Sequence, residues 1–491
     1  MRFFVLISSI ILLLFLTPCV IADDNKIKVG LAEWMDYTNA DGSGIYLDII
    51  YAIYGKDKVE LHFEAFNRAV HATEQGQYDL VIGVFREDIT EAVLPSWHLD
   101  YEYPIVGFYD PKRHSLKHPN DLYNLTVAWM RGYNFEHYLD ASHYLYEVNT
   151  IKHGFQLLDK GRVDVFIDYP YNLPTDYESR FKHIQIMPSR PIYVAFSNTE
   201  KGRALAKKYD AGTKRIRDSG QLQSIYGSEY QRAHFQTFDP NKPTLVLKTK
   251  DINLLRGQVD SDDPSSEALL MSAILQQLPN VRVELSKMRD VSEFRRSNQN
   301  NVCYLNMLTN EERASRFDFS LPITMYAGYR VFSTVPFTAD QNVTLPSLVN
   351  ADNKIGLRSG QTYSLTIMEQ LDAIDNEHKV FTEADISVAL EALVAGKIRY
   401  WIEYPSLMSE SWPIISEETL YSATIDGSPE FTRGHIMCHR SADTRRFLGG
   451  VDALQRQMWK SGKHKHLLRK AHDELSDQAF DRLYRRAFLN L

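Results

Sequence analysis

Cysteine is scarce in this chain: three residues in 491, one of them (Cys19) inside the first apolar run, so no disulfide framework can carry the fold. The strings Gly-x-x-x-x-Gly-Lys-Ser/Thr, His-Glu-x-x-His, Cys-x-x-Cys and Gly-x-Ser-x-Gly are all missing, which removes the standard nucleotide, zinc-protease, dithiol and serine-hydrolase signatures. No charge of one sign dominates. Lys plus Arg total 55 against 63 Asp plus Glu, a formal net charge of −8 that argues against nucleic acid as a partner. Beyond the N-terminal run no apolar stretch approaches the roughly 20 residues that span a bilayer, so the mature chain is not expected to cross a membrane. The histidine pairs His114/His118 and His464/His466 lie among basic residues and are expected on solvated surface; neither a metal site nor a cofactor is expected. What is present is a globular composition, 44% hydrophobic and 24% charged, which excludes disordered and collagen-like classes. The length exceeds the ~250–300 residues one core can serve, so two or more domains are expected. With 28 Tyr and 24 Phe, the chain has aromatics enough to wall a ligand cleft as well as fill cores.

Residues 1–22 read as a cleaved secretory signal peptide. Arg2 is the positive start, Phe3 to Leu16 is apolar but for Ser8 and Ser9, and Val20-Ile21-Ala22 precedes the acidic Asp23-Asp24. A lipoprotein signal at Cys19 is the rival, weakened by Pro18 where a small residue is wanted. The mature chain then keeps Cys303 and Cys438, which either bridge in an oxidising compartment or stay reduced as small buried residues. Asn124-Leu-Thr126 and Asn342-Val-Thr344 match glycosylation sequons, a pattern short enough to arise by chance.

The chain then repeats itself. Gly161-Arg-Val-Asp-Val-Phe-Ile-Asp-Tyr-Pro170 parallels Gly396-Lys-Ile-Arg-Tyr-Trp-Ile-Glu-Tyr-Pro405, and each follows an apolar helical pattern, Ile151 to Leu158 and Ile386 to Leu393. Pro104-Ile105 with Pro322-Ile323, Pro119–Gly132 with Pro346–Gly360, and Asp218-Ser-Gly220 with Lys460-Ser-Gly462 keep the same order, so a degenerate duplication is expected. Within each copy short β-branched runs alternate with helical patterns, the mark of α/β units with mostly parallel sheets. The expected boundaries are copy 1 at 27–236, a Pro-flanked linker at 237–243, copy 2 at 244–470 and a helical extension at 471–491. Two separately folding copies are expected on either side of Pro240–Pro243.

Four strings then carry a resemblance. Copy 1 has Ile27-Lys-Val-Gly-Leu-Ala-Glu-Trp34, Asp41-Gly-Ser-Gly-Ile-Tyr-Leu-Asp48 and Gly76-Gln-Tyr-Asp-Leu-Val-Ile-Gly83; copy 2 has Thr309-Asn-Glu-Glu-Arg313 followed by Asp318-Phe-Ser-Leu-Pro322. The chain resembles the bacterial extracellular solute-binding proteins of family 3, here as two tandem units of the type 2 periplasmic-binding fold. That resemblance implies an α/β fold of two lobes per unit, joined by two crossover strands and closing over a small polar solute, an amino acid or related carboxylate. It implies a periplasmic location and a permease or sensor as partner.

The family's carboxylate-binding Arg falls on Arg313, its second-lobe loop on Gln361 and Thr362, and its ammonium-binding acid near Glu403. In copy 1, twelve residues counted from Asp79 reach Glu91 at the guanidinium position, so a free α-amino acid is not expected there; a cationic or neutral ligand, or none, suits it better. Arg68 and Arg86 are the basic candidates, Trp34 and Tyr37 could wall the cleft, Tyr133 lies in the loop resembling the family's second-lobe site, and Asp168 matches Glu403. The ordinary readings compete at each position: solvated surface for the arginines, core packing for the aromatics. Two rival functions stand beside solute capture, an enzyme on the same fold acting on a cyclic carboxylate and a cleft-degenerate interaction module. No standard catalytic motif supports the first.

Overall fold

The computed structural model describes residues 26–489 except 134, 140–142, 236–237, 240–241, 251, 257–265, 279–280, 289–292, 297–299, 338–341, 351, 360, 362, 383–385, 471 and 473–474. The leader 1–22 and Thr362 therefore lie outside the described residues. Ten strands form the first unit: β1 (Ile27–Leu31), β2 (Val59–Phe63), β3 (Leu80–Val84), β4 (Asp100–Glu102), β5 (Ile105–Tyr109), β6 (Thr126–Met130), β7 (Tyr144–Val148), β8 (Val165–Asp168), β9 (Lys182–Met187) and β10 (Arg190–Phe196). They make two sheets, β2-β1-β3-β10-β4 and β7-β6-β8-β5-β9. The chain passes from one lobe to the other through Tyr103-Pro104 and returns through Pro188-Ser189.

The second unit has β11 (Thr244–Thr249), β12 (Arg282–Lys287), β13 (Val302–Met307), β14 (Phe317–Phe319), β15 (Thr324–Ala327), β16 (Arg330–Ser333), β17 (Asn342–Val343), β18 (Ile355–Arg358), β19 (Lys379–Thr382), β20 (Tyr400–Glu403), β21 (Tyr421–Ile425) and β22 (Phe431–His439). Its sheets run β12-β11-β13-β22-β14, with β15 also on β22, and β17-β21-β16-β20-β18-β19; apart from β14 and β17 the strand order repeats that of the first unit, with β15 in the place of β4. The fold is α/β, two tandem type 2 periplasmic-binding-like units of two lobes each.

The local reasons are ordinary. Strands buried on both faces read as apolar runs: Leu80, Val81, Ile82 and Val84 in β3, and all four residues of β8. Helix Ile45–Tyr54 buries Leu47, Ile50 and Tyr54 along one stripe, and helix Glu200–Asp218 starts where Thr199 Oγ1 accepts the Gly202 N–H at 3.0 Å. Cys303 and Cys438 are register partners on β13 and β22 and form a disulfide. In the C-terminal segment, Phe480, Leu483, Tyr484 and Phe488 pack on Met325 and Ala327 of β15. His464 is fully buried there, between the Tyr484 hydroxyl (3.0 Å) and the Ile323 carbonyl (2.9 Å), not on solvated surface as its basic neighbours suggested.

Register corrects one repeat pair. Arg190 pairs with Glu102 on β4 and Thr432 with Tyr326 on β15, so Glu102 is equivalent to Tyr326 and Pro104 to Gly328, not to Pro322. The cause is loop length: Val93 bridges Phe196 where Asp318 pairs with Cys438, which places the Asp-Phe-Ser-x-Pro string against residues 93–97.

The units also touch. Leu255 and Leu285 of the second unit join the lobe-two core of the first, and Arg86 pairs with Glu284 at 2.7 Å with both side chains nearly buried.

Candidate functional site

In the first unit the crossover puts Asp100-Tyr-Glu-Tyr103 between the lobes, and β8 ends at Asp168 followed by Tyr169-Pro170-Tyr171. Rings from both lobes gather around these acids. Trp34 stands on a tight turn (its carbonyl accepts the Thr38 N–H at 2.8 Å) and lies 5.0 Å from Tyr37 between centroids. Two glycines take positive φ beside that wall. Gly83, φ +84, lies against the Trp34 ring; a Cβ on Gly44, φ +128, would fall 2.4 Å from the Tyr37 carbonyl oxygen. Tyr103 meets Tyr171 at 4.9 Å, Tyr171 stacks on Tyr169 at 5.5 Å, and Tyr169 meets Tyr133 at 6.0 Å. The Trp34 side chain lies near enough to the Tyr171 phenol to act on it, so an aromatic of lobe one approaches an aromatic of lobe two.

The acids inside this wall are strongly perturbed. Burial pushes Asp168 up to about 6 against hydrogen bonds from Asn172 (2.8 Å) and the Tyr169 N–H (2.7 Å). Burial likewise pushes Glu102 up to about 8, with the Tyr103 N–H opposing and Asp100 adding repulsion. Both charges act on the phenols of Tyr133 and Tyr171, which places the two carboxylates on the same side as those rings. Asp168 is fully buried, and its Oδ2 has no hydrogen-bond partner among the described residues. Arg232 sits at the edge over the Tyr103 ring (4.5 Å), holding Asp100 at 2.9 Å and Glu229 at 2.8 Å.

Of the residues expected from sequence, Trp34, Tyr37, Tyr133 and Asp168 come together here. Arg68 and Arg86 do not. The Arg68 side chain is 76% exposed and reaches only Glu64 (3.7 Å), while Arg86 is held by Glu284 of the second unit. Glu91 is exposed, its N–H on the Glu74 carboxylate at 3.1 Å. Register explains the miscount: Val84 matches Met307 and Val93 matches Asp318, so Arg313 corresponds to Asp88, Ile89 or Thr90. Glu102, Tyr103, Tyr169, Tyr171 and Arg232 were missed. Their signal was the alternation of acid and tyrosine in Asp100-Tyr-Glu-Tyr103 and Asp168-Tyr-Pro-Tyr171.

The second cleft is built on the same frame with different chemistry. Val127 and Ala128 of β6 pair with Val165 and Phe166, as Ile355 and Gly356 of β18 pair with Tyr400 and Trp401; Asp168 is thus equivalent to Glu403 and Met130 to Arg358. Arg358 forms a buried ion pair with Glu403. Tyr404 stacks on Tyr329 at 4.0 Å, and Gln361 donates to the Tyr329 hydroxyl at 2.6 Å. Arg313 is buried, donating to the Leu308 carbonyl at 2.7 Å with its guanidinium 4.9 Å from the Phe294 ring centre. A hollow of about 720 Å3 opens nearby, between Tyr329, Arg330, Trp412 and Leu483 of the C-terminal helix, but Glu403 does not line it. No metal-binding cluster of His, Cys, Asp and Glu occurs among the described residues, and no described helix is long and apolar enough to cross a membrane.

No family profile and no curated protein matches the sequence. Solved structures with a similar course of chain include the GluR0 ligand-binding core from Nostoc punctiforme with L-glutamate, 16% identical over 41% of this chain and 97% of that one, TM-score 0.33. An ancestral arginine-binding protein bound to arginine is 18% identical over 41% and 96%, TM-score 0.33. An ABC uptake transporter substrate-binding protein from Streptococcus pneumoniae with bound histidine is 15% identical over 43% and 94%, TM-score 0.34. At such TM-scores these likenesses carry no argument. The fold assignment rests on the chain's own strand order, and the functional reading on its first cleft.

Proposed function

We propose that this chain is an exported binding protein whose first unit captures a small polar solute between its lobes, for an import permease or a sensor. One observation carries the reading: a buried carboxylate oxygen of Asp168, without a hydrogen-bond partner among the described residues, inside a wall of rings drawn from both lobes and the crossover. Leaving such an oxygen unpaired costs about 1–3 kcal/mol or more. A cleft that holds one open is arranged for a ligand that completes it. Lobe closure over a solute supplies that partner and excludes water together. The Cys303–Cys438 disulfide supports export, since such bonds persist in oxidising compartments. In the second unit the Arg358–Glu403 pair supplies the acid's partner from within, which favours a docking role for that unit over a second capture site. Arg313 remains the candidate carboxylate anchor if that cleft does take a ligand.

The test is a thermal-shift screen of the full mature chain with amino acids, amines and small carboxylates at millimolar concentration. Binding at a hundred times Kd adds ~2.7 kcal/mol of stability. A ligand that raises Tm and is recovered chemically unchanged supports solute capture. No shift with any compound removes it.

A further inference from the structure

We infer that the first cleft takes an organic monocation without a carboxylate: an amine, a guanidine or a quaternary ammonium. The inference rests on the reading of that cleft as a capture site, and it narrows the ligand class. Four carboxylates lie at the cleft: Asp100, Glu102, Asp168 and Glu229. Arg232 already holds Asp100 and Glu229, and Glu102 and Asp168 have no ion pair to a protein cation among the described residues. Asp168 also keeps its fully buried Oδ2 without a hydrogen bond among the described residues, an acceptor open to a ligand donor. Around these acids stand Trp34, Tyr37, Tyr103, Tyr133, Tyr169 and Tyr171, ring faces that attract a cation through their quadrupoles.

Among the described residues, the candidate arginines for a ligand carboxylate are exposed or already paired, Arg232 with Asp100 and Glu229. Arg68 faces solvent, Arg86 is locked on Glu284, and Arg131 is an exposed partner of Glu147 at 3.4 Å. The stretch equivalent to Arg313 holds Asp88, Ile89 and Thr90, none cationic. A zwitterion's anionic end would therefore face the unpaired Asp168 carboxylate in a site of low dielectric, where like charges repel strongly. A cation of the same size meets the Asp168 carboxylate instead, with the one guanidinium at the cleft edge, Arg232, already paired with Asp100 and Glu229.

The experiment is calorimetric titration of the full mature chain with tetramethylammonium, methylguanidinium and ethylammonium chlorides, against glycine and sodium acetate at equal ionic strength. At least one cation is expected to bind at least tenfold tighter than glycine, and acetate not at all. Asp168→Asn keeps the side-chain shape and is expected to weaken that cation at least tenfold. Tyr171→Leu alters a half-exposed wall residue that the core does not need, and should weaken it severalfold even if Asp168→Asn fails to fold. Glycine or acetate bound as tightly as the cations, with an affinity that falls in Asp168→Asn, would overturn the cation class and leave solute capture standing. Cation binding untouched by both variants would move it out of this cleft and overturn the inference. If neither these probes nor any compound of the wider screen binds, solute capture itself fails and the inference falls with it.

Discussion

Asp168 and Glu102 differ from Asp100 and Glu229 in lacking an ion pair to a guanidinium among the described residues, and burial raises both pKa values. With pKa values raised to about 6 and about 8, each binds its proton more tightly folded than unfolded. Such a group favours the fold fully below its unfolded value near 4, and that advantage is lost as pH rises through the folded value. The ligand-free protein should therefore lose stability from about pH 4 to about 6 through Asp168, and up to about 8 through Glu102. At 1.36 kcal/mol per unit the Asp168 part is on the order of 3 kcal/mol. Denaturant melts between pH 5 and 8.5 check this. Asp168→Asn and Glu102→Gln should each flatten the decline, and a decline equally steep in both variants would assign it to other groups.

At the level of single strands, the contrast between the clefts comes down to what ends the strand beside the acid. β6 ends in Met130 beside Asp168; β18 ends in Arg358 beside Glu403. The frame is the same, so the chemistry of the acid follows from one neighbour. Arg358→Met copies the first unit's arrangement into the second and leaves Glu403 buried without its cation. Breaking a buried pair from one side costs about 3–5 kcal/mol. A loss of that size in urea melts is the expected result. An unchanged melt would mean that the pair does not constrain the second cleft. In the first unit Gly83→Ala places a side chain at φ +84 beneath Trp34, with an expected destabilisation of about 1 kcal/mol and a weaker cleft ligand.

For the molecule as a whole, the second unit does more than follow the first. Its edge reaches both lobes of its neighbour: Glu284 takes Arg86 of lobe one, while Arg256 donates to the Tyr138 and Ile186 carbonyls of lobe two at 2.9 and 3.1 Å. Glu87, Tyr138 and Arg190 form a hydrogen-bonded group linking both lobes and the returning crossover strand, and Ser286 reaches it at 3.3 Å. An interface containing buried charges of this kind ties the unfolding of one unit to that of the other. Calorimetry of the intact chain should give one main transition. Glu284→Gln, which leaves Arg86 buried without its carboxylate, should lower the first unit's stability by about 3–5 kcal/mol and separate two transitions. Two independent transitions already present in the parent chain would show the units to be uncoupled.

Much of the fold was legible in the sequence because strand–helix alternation and the strings Phe-Ile-Asp-Tyr-Pro and Trp-Ile-Glu-Tyr-Pro are local patterns, set by side-chain periodicity and turn chemistry. The family resemblance is what named Trp34, Tyr37, Tyr133 and Asp168 as cleft candidates beforehand. The rest needed distances across the chain. Counting residues placed Glu91 opposite Arg313, because a loop of different length hides the register that strand pairing reveals. No local pattern distinguishes an arginine that faces a cleft from Arg86, which meets a carboxylate nearly two hundred residues away. Nor does spacing tell that Glu403 is neutralised and Asp168 is not, since their neighbours Arg358 and Met130 lie on adjacent parallel strands with a further strand and helix between them in sequence. The sequence by itself determined two α/β units and an acid–tyrosine motif in each. Only the tertiary structure decided which acid is left open, because an ion pair between distant residues exists only once the sheets have brought them together.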